Sequence, residues 1–174
     1  VLIDGTTQID SKWRTVCELV NQGGQGRDLS AADLRGVNLS GVDLRQANLS
    51  QADLRGADLQ GADLRESGLQ NADLSLADLR GCDLEEADLS MVGLRGTVID
   101  QETRMGHKWR VVSDVINVGG TGRDLSGVDL SRADLRGSDL HAADLINANL
   151  REAGLNGVDL GEALLCRANL SRAL

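Results

Sequence analysis

The chain lacks several residue types that usually build a compact globular core. Its 174 residues include no phenylalanine, tyrosine or proline, and two tryptophans supply all of the aromatic content. Aromatic side chains normally provide much of the bulk of such a core. Leucine, valine and alanine must therefore fill the interior, which favours a thin and repetitive core over a single wide one.

Other absences exclude several kinds of site. Three cysteines, Cys17, Cys82 and Cys166, are too few and too scattered for a disulfide framework or a metal site. No apolar run approaches membrane-spanning length. The net charge is −9, and residues 27–95 hold thirteen carboxylates against seven arginines. Because the chain has no basic stripe of the kind that nucleic-acid-binding proteins carry, we expect it to bind neither nucleic acid nor membranes.

The N-terminal residues give little information about location. No signal peptide is visible, but the first residue is Val1, and Val1-Leu2-Ile3 resembles the tail of a repeat unit. We therefore expect the sequence to be an excerpt of a longer protein. A cytoplasmic location is favoured, and the thylakoid lumen and the periplasm stay open.

The most abundant feature of the chain is a five-residue repeat. Leucine occupies every fifth position from 29 to 94, fourteen times in succession, and from 125 to 170, ten times. The residue two before each leucine is usually small and the one just before it is usually Asp or Asn, as in Ala52-Asp53-Leu54-Arg55-Gly56. A helix would spread residues five apart over all its sides, and a strand would alternate them between faces. A chain that turns one corner per repeat can point every leucine at a common axis, which predicts a solenoid.

Two segments have a helical period instead. The first apolar stripe follows a potential N-cap at Asp10 and precedes Gly23-Gly24, so we predict a helix over about 11–22. The second apolar stripe precedes Gly119-Gly120, so we predict a helix over about 105–117. The first stripe comprises Trp13, Val16, Cys17 and Val20, and the second comprises Met105, Trp109, Val112 and Ile116. A shift of 96 residues aligns the two segments, with fifteen of 28 positions identical between 3–30 and 99–126.

The tandem Ala-Asp/Asn-Leu-x-x units resemble the pentapeptide-repeat family, and the helix followed by Arg27-Asp28-Leu29-Ser30 resembles segments of its cyanobacterial members. The resemblance implies an all-β solenoid, specifically a right-handed quadrilateral β-helix with about 20 residues in each four-sided coil. Its leucines and small residues would point inward. The family usually has some phenylalanine at the leucine position, and this chain has none.

We predict two repeat blocks, each preceded by a short capping α-helix. The expected divisions are an N-terminal segment with the first helix (1–26), the first block (27–100), a linker with the second helix (101–122) and the second block (123–174). A continuous solenoid with the second helix at one side is the alternative. The helices would cover the open ends of the coils, the first one through its apolar stripe. Arg27 and Arg123 fall at inward positions, where a charge is costly, so both should bend out toward the helices.

Residues 20 apart should stack and form columns of acid on the outer faces. One column comprises Asp33, Asp53 and Asp73 with Arg35 and Arg55, and the other comprises Asp43, Asp63 and Asp83 with Arg45 and Arg65. They form either a solvated face of short-range pairs, each contributing little, or a surface that binds a basic protein. The resemblance provides a precedent for binding, since some pentapeptide-repeat proteins mimic duplex DNA and bind type II topoisomerases such as gyrase. The charge of the first block is modest beside that of DNA.

A second candidate surface is apolar. Ile146 and Cys166 should stack on one face, and Leu164 replaces the usual Asp there. Exposed apolar groups in one place indicate an interface, which could join two copies as a homodimer through the C-terminal block. A following segment of a longer chain could equally cover them.

Catalysis has little support in the sequence. His107 and His141 have no neighbouring Ser or Cys with a third orienting group, and the Gly-Gly-x-Gly runs lack the Lys-Ser/Thr of a phosphate-binding loop. We expect no enzyme activity and no cofactor. The predicted function is that of a non-enzymatic structural or protein-interaction solenoid, and the alternative is a DNA-mimicking regulator or protector of a type II topoisomerase. The identity of the protein partner stays open.

Overall fold

A computed structural model describes residues 10–174 as a stack of coils with two helices, α1 at Ser11–Gln22 and α2 at His107–Asn117. Parallel β-bridges join residues 20 positions apart, from Asp28↔Asn48 to Asp78↔Val98 in the first block and from Asp124↔Asp144 to Asn149↔Asn169 in the second. Since the repeat has five residues, each coil has four sides. Within residues 10–174 the bridges are isolated and do not extend into longer strands.

The backbone hydrogen bonds of one pentad explain why each side is so short. Ala52 N donates to Leu49 O at 3.0 Å, and Gln51 between them has a φ of 61°, as in a type II turn. Leu54 N donates to Asp73 O of the next coil at 2.8 Å. Only the residues around each Asp, between one turn and the next, are extended. Within a block, each side of a coil therefore forms a single β-bridge, and its backbone N–H and C=O groups are still hydrogen-bonded.

The core is a thin column of leucines lined by small residues. The repeat leucines from Leu39 to Leu79 are fully buried, and so are the alanines two positions before them, such as Ala52 and Ala62. A single apolar cluster contains the leucines of both blocks together with residues of α1 and α2. The inward direction of the leucines and small residues is confirmed.

Both predicted helices are present, and α1 has the expected ends. Asp10 is the N-cap and accepts a hydrogen bond from Trp13 N at 3.1 Å, and Gly23 ends the helix with a φ of 76°. α2 starts two residues later than predicted, because Met105 is buried in the preceding segment and Gly106 is the N-cap. Neither helix is long and apolar enough to cross a membrane.

The predicted buried face of α1 is wrong in part. Val16 and Leu19 are buried, whereas Trp13 is 50% and Val20 55% exposed, and Cys17 is half-buried. Lys12 explains the rotation of the helix, because its Nζ reaches Arg35 O of the first coil at 2.8 Å. The side that faces the coil therefore follows the spacing i, i+4, i+7 from Lys12 to Val16 and Leu19.

Arg27 and Arg123 avoid the core as predicted. The Arg27 guanidinium pairs with Glu18 of α1, with Nη2 2.6 Å from Oε2. Arg123 Nη1 donates to Gly119 O, just after α2, at 3.2 Å. Each charge thus finds an oxygen at the helix that precedes its block, and burial without a partner is avoided.

α2 packs between the two blocks. Val112 and Val115 are fully buried. On the side of the first block, Asn117 Nδ2 donates to Leu94 O at 3.0 Å and Asn117 Oδ1 accepts from Gly96 N at 2.6 Å. We call this contact between α2 and the last coil of the first block the joint.

The blocks also touch each other directly beside α2. Met91 N donates to Arg132 O at 2.7 Å, and Arg95 Nη2 donates to Arg136 O at 2.7 Å. The helix therefore covers part of the coil end while one side of the stack continues into the second block. The division into separate domains at the boundaries given above stays a prediction.

Candidate interaction surfaces

The two acidic columns are rows of closely paired charges. Arg35 Nε lies 2.9 Å from Asp33 Oδ1, and Arg35 Nη2 lies 2.8 Å from Asp33 Oδ2. The same two-bond contact recurs in three further pairs, Asp43–Arg45, Asp53–Arg55 and Asp63–Arg65. The turn places the arginine there, because Asp33 Oδ1 also accepts from Arg35 N at 3.1 Å and folds the chain back on itself.

Each arginine also approaches the aspartate of the next coil. Arg35 Nε lies 3.6 Å from Asp53 Oδ2, and Arg55 Nε lies 3.7 Å from Asp73 Oδ2. The second column repeats this pattern from Arg45 to Asp63 and from Arg65 to Asp83, at 3.6 Å in both cases. The columns therefore alternate in sign along the stack, and like charges are not left facing each other.

Hydrogen bonds from the arginines keep the aspartates ionised. The Arg35 guanidinium holds the pKa of Asp33 well below its usual range, and Arg55 does the same for the pKa of Asp53. The pKa of each arginine is raised by its aspartate in return. Because these side chains are partly exposed, the pairs set the charge pattern of the faces more than the stability of the fold.

Both columns change at the third coil. Ser75 stands where an arginine would pair with Asp73, and its N donates to Asp73 Oδ1 at 2.9 Å. In the other column Arg104 forms ion pairs with two acids, with Nη1 3.2 Å from Asp83 Oδ2 and Nη2 2.7 Å from Glu85 Oε2. Arg104 lies outside the five-residue spacing, and that spacing carries no signal for a contact with a residue 21 positions away.

The predicted apolar face lies on the last two coils. Leu164 is 54% exposed and bridges to Asp144. Cys166 is exposed and Ile146 is half-buried. Asn147 N donates to Cys166 O at 2.9 Å, so residues 146 and 166 come from adjacent coils. The structure brings the three side chains to one side of the stack.

An open cleft of about 430 Å³ lies where the blocks meet. Its charged lining includes Asp73, Arg95, Asp134 and Arg136. Arg136 pairs with Asp134 at 2.7 Å. The five-residue pattern does not indicate this cleft, because the cleft forms between residues 71–95 of the first block and residues 134–136 of the second.

The histidines do not form a catalytic cluster. His141 Nδ1 lies 3.9 Å from Asp159, and its Nε2 lies 3.9 Å from Glu162, while His107 is the exposed first residue of α2. In the part of the chain from residue 10 onward, no group of three or more His, Cys, Asp or Glu side chains could hold a metal ion.

A solenoid of five-residue units with columns of paired charges defines a class of repeat protein. The sequence model of pentapeptide repeats, which spans eight copies of the unit, matches residues 28–65, 62–99, 121–151 and 143–173. The chain therefore belongs to the pentapeptide-repeat family. No curated protein gives a significant match to the chain.

Several solved structures are similar to this chain. A pentapeptide repeat protein (Rfr23) from the cyanobacterium Cyanothece 51142 is 37% identical over 47% of this chain and 55% of its own, with a TM-score of 0.46. The chain thus spans about half the length of Rfr23. HetL from the cyanobacterium Nostoc sp. strain PCC 7120, a pentapeptide repeat protein involved in heterocyst differentiation regulation, is 24% identical over 94% of this chain and 95% of its own, with a TM-score of 0.46. QnrB1, a plasmid-mediated fluoroquinolone resistance protein, is 21% identical over 76% and 78%, with a TM-score of 0.25.

Proposed function

We propose that this protein is a non-enzymatic pentapeptide-repeat solenoid that binds partner proteins through its outer faces. We also propose that its coils wind as a right-handed quadrilateral β-helix in two blocks, each capped by the helix before it. The partner is a protein rather than a nucleic acid, because the net charge of −9 would repel phosphates and no basic stripe is present in the sequence.

The exposed apolar face of Ile146, Leu164 and Cys166 carries the proposal. Most outward positions hold polar side chains that bond to one another, such as Asp53 with Arg55. Leu164 replaces such an aspartate and has no polar role, so covering it would remove apolar surface from water. A contact of this kind, surrounded by polar side chains, has the composition of a protein interface. The occupant is either a different protein or a second copy related by a two-fold axis.

Leu164→Asp tests the proposal with little risk to the fold, because it restores the residue that the repeat normally has there. The immobilised protein should retain a protein partner from a cell extract, or itself, and Leu164→Asp should weaken this retention at least about tenfold. Leu76→Asn serves as a matched control, since Leu76 is an exposed leucine of the first block with a φ of 63° that asparagine accepts. Equal retention by Leu164→Asp and the unmodified protein would contradict the proposal.

The regular spacing of the acidic columns favours a second candidate, a DNA-mimicking regulator of a type II topoisomerase. Its arginines oppose this function, because Arg35, Arg45, Arg55 and Arg65 neutralise the acids within each coil. A mimic should inhibit gyrase supercoiling or protect it from quinolones near stoichiometric amounts, with an effect that weakens as salt rises.

Two substitutions make this test specific. Asp53→Asn should weaken the inhibition, and Arg55→Gln should strengthen it, because the latter leaves Asp53 without its nearest cation. No effect of the unmodified protein on gyrase at large excess would remove this candidate and leave protein interaction through the apolar face.

A further inference from the structure

The cleft between the blocks opens beside a direct main-chain contact. At one corner Met91 N donates to Arg132 O at 2.7 Å, so the backbones of the two blocks touch there. Four residues further along the chain a side chain makes the contact instead, because Arg95 Nη2 donates to Arg136 O at 2.7 Å. Met91, Arg95 and Arg136 all line the cleft, whose volume of about 430 Å³ is typical of ligand-binding pockets.

Two main-chain donors at the cleft lack partners. In a repeat unit the leucine N–H points to the next coil and the N–H before it points to the previous coil, as in Leu74 N to Gly93 O at 2.9 Å and Gly93 N to Ala72 O at 3.0 Å. Leu94 and Asp134 line the cleft, and neither Leu94 N nor Asp134 N donates a hydrogen bond to any group within residues 10–174. Leu94 is 1% exposed, and buried N–H groups nearly always have a partner. Both donors are therefore available to an acceptor that enters the cleft.

The cleft also interrupts the pattern of Asp–Arg pairs on its face of the stack. Asp73 has Ser75 where the other aspartates of its column have an arginine, and it keeps a contact of 3.7 Å with Arg55 Nε of the previous coil. Arg95 has Gly93 where its aspartate would stand, and its guanidinium bonds a main-chain oxygen instead of a carboxylate. One acid and one base at the cleft are therefore without their usual partners.

The carboxylate of Asp73 leans over Gly93, which has no side chain. A Cβ at Gly93 would lie 2.9 Å from Asp73 Oδ1 and 3.4 Å from Ser75 Oγ. The pKa of Arg136 is raised chiefly by its hydrogen bond with Asp134 and further by the charge of Asp73, so Asp73 faces the second block across the cleft. Arg136 holds Asp134 through two hydrogen bonds, whereas Asp73 accepts its hydrogen bond from the main chain of Ser75. Asp73 is therefore the acid that a basic side chain can approach.

We propose that the cleft binds an extended segment of a partner protein that carries one basic and one acidic side chain on the same side of its backbone. The basic side chain pairs with Asp73, and the acidic one pairs with Arg95. Main-chain carbonyls of the segment accept from Leu94 N and Asp134 N, as when a peptide adds to an unpaired sheet edge. Side chains two residues apart in an extended segment share a side. This inference goes beyond the proposed function, because the Leu164 face has no part in it.

Titration of isotope-labelled protein with blocked peptides, followed by amide NMR, tests the proposal. The probes are acetyl-Thr-Arg-Thr-Asp-Thr-amide and acetyl-Thr-Asp-Thr-Arg-Thr-amide, which cover both chain directions. At least one should shift the Leu94 and Asp134 amide signals to saturation, with a dissociation constant of about 1 mM or below. The neutral peptide acetyl-Thr-Gln-Thr-Asn-Thr-amide should bind at least about tenfold more weakly. No saturable shift at these amides with either charged peptide, or equal binding of the neutral one, would overturn the proposal.

Substitutions in the cleft test the two charge contacts separately. Asp73→Asn installs a residue that the repeat already has at this position, as in Asn38, and it should raise the dissociation constant at least about tenfold, as should Arg95→Gln. Asp43→Asn makes the same change in the other column, outside the cleft lining, and should leave peptide binding unchanged. Unchanged affinity in Asp73→Asn would refute the proposal. Leu164→Asp should also bind the peptide normally, which keeps this result distinct from the test of the apolar face.

Discussion

The Asp–Arg pairs show how a single pentad satisfies its own charges. In Asp53-Leu54-Arg55 the leucine enters the core and its two charged neighbours meet outside it. The same short sequence recurs at 33–35, 43–45 and 63–65 with the same geometry. A column of acids that looks repulsive in the sequence is therefore a row of neutralised pairs.

Acid should destabilise the protein through these pairs. The pKa values of Asp43, Asp53 and Asp63 are lowered chiefly by hydrogen bonds from their arginines. A carboxylate with a lowered folded-state pKa contributes stability above its unfolded value of about 4, and this contribution is lost as the pH falls through the folded-state value. The thermal midpoint should therefore be flat from pH 7 to about 5 and fall below about pH 4.

Replacing the arginines provides the control for this acid effect. A variant with Arg45, Arg55 and Arg65 changed to glutamine should lose less stability between pH 5 and 3 than the unmodified protein. An equal loss in both proteins would assign the acid sensitivity to other carboxylates.

Gly24 is required by close packing at the start of the first coil. A Cβ there would lie 2.6 Å from Leu44 Cδ2 and 2.7 Å from Leu19 Cδ2. Both leucines are fully buried, so they can give way only by repacking the core. Gly24→Ala should therefore cost about 1–3 kcal/mol in the free energy of unfolding, measured by denaturant titration. Gly68→Ala is the matched control, because its nearest neighbour is the flexible amide end of Gln70, and it should be nearly neutral.

At the scale of elements, α1 and α2 are copies of one helix in two settings. Lys12 bonds Arg35 O under α1, and Lys108 bonds Ser131 Oγ at 2.9 Å in the equivalent position under α2. The two helices differ at the N-cap, where α1 has Asp10 and α2 has Gly106 without a side-chain hydrogen bond.

Gly106→Asp should stabilise the protein by giving α2 the cap that α1 has. An N-cap aspartate in place of glycine contributes a few tenths of a kcal/mol up to about 1 kcal/mol, and a Cβ at Gly106 would meet only Trp109 Cδ1 at 3.9 Å. Asp10→Gly should have the opposite effect of similar size, read from the same thermal unfolding curves. A loss of stability in Gly106→Asp would show that the entry into α2 has no room for the carboxylate.

At the scale of the whole molecule, the joint couples two stacks that are out of phase. The shift of 96 residues is one residue more than nineteen pentads, so the second block cannot continue the register of the first. The two blocks still stack directly on one side, where Met91 N donates a hydrogen bond to Arg132 O. Next to this contact, Asn117 of α2 donates to Leu94 O in the last coil of the first block.

Asn117→Ala should weaken this coupling. It leaves Gly96 N–H without its acceptor and Leu94 O without one donor, at a cost of about 1–3 kcal/mol. Hydrogen exchange of the Gly96 amide should accelerate, and unfolding should become less cooperative. Asn156→Ala, at an exposed position of the second block, should change neither property. If hydrogen exchange of the Gly96 amide is unchanged in Asn117→Ala, the two blocks are coupled by contacts other than those of Asn117.

The five-residue period determined the coil, the inward leucines and small residues, and the pairing of each Asp with the Arg two positions on. These contacts lie within a pentad or between units of the same sequence, so one local pattern repeated many times specifies them. The bounds of α1 and the outward turn of Arg27 also followed from local rules.

Only the tertiary structure decided the rotation of α1, the role of Arg104 and the cleft between the blocks. Each depends on contacts made where the period is interrupted: Lys12 on Arg35 O, Arg104 on Asp83, and Met91 on Arg132. Such contacts join residues that are far apart in the chain, and the five-residue period does not predict which of them meet. The repeat therefore determines the interior of each block, and packing between unlike elements decides how the blocks meet and which surfaces they leave exposed.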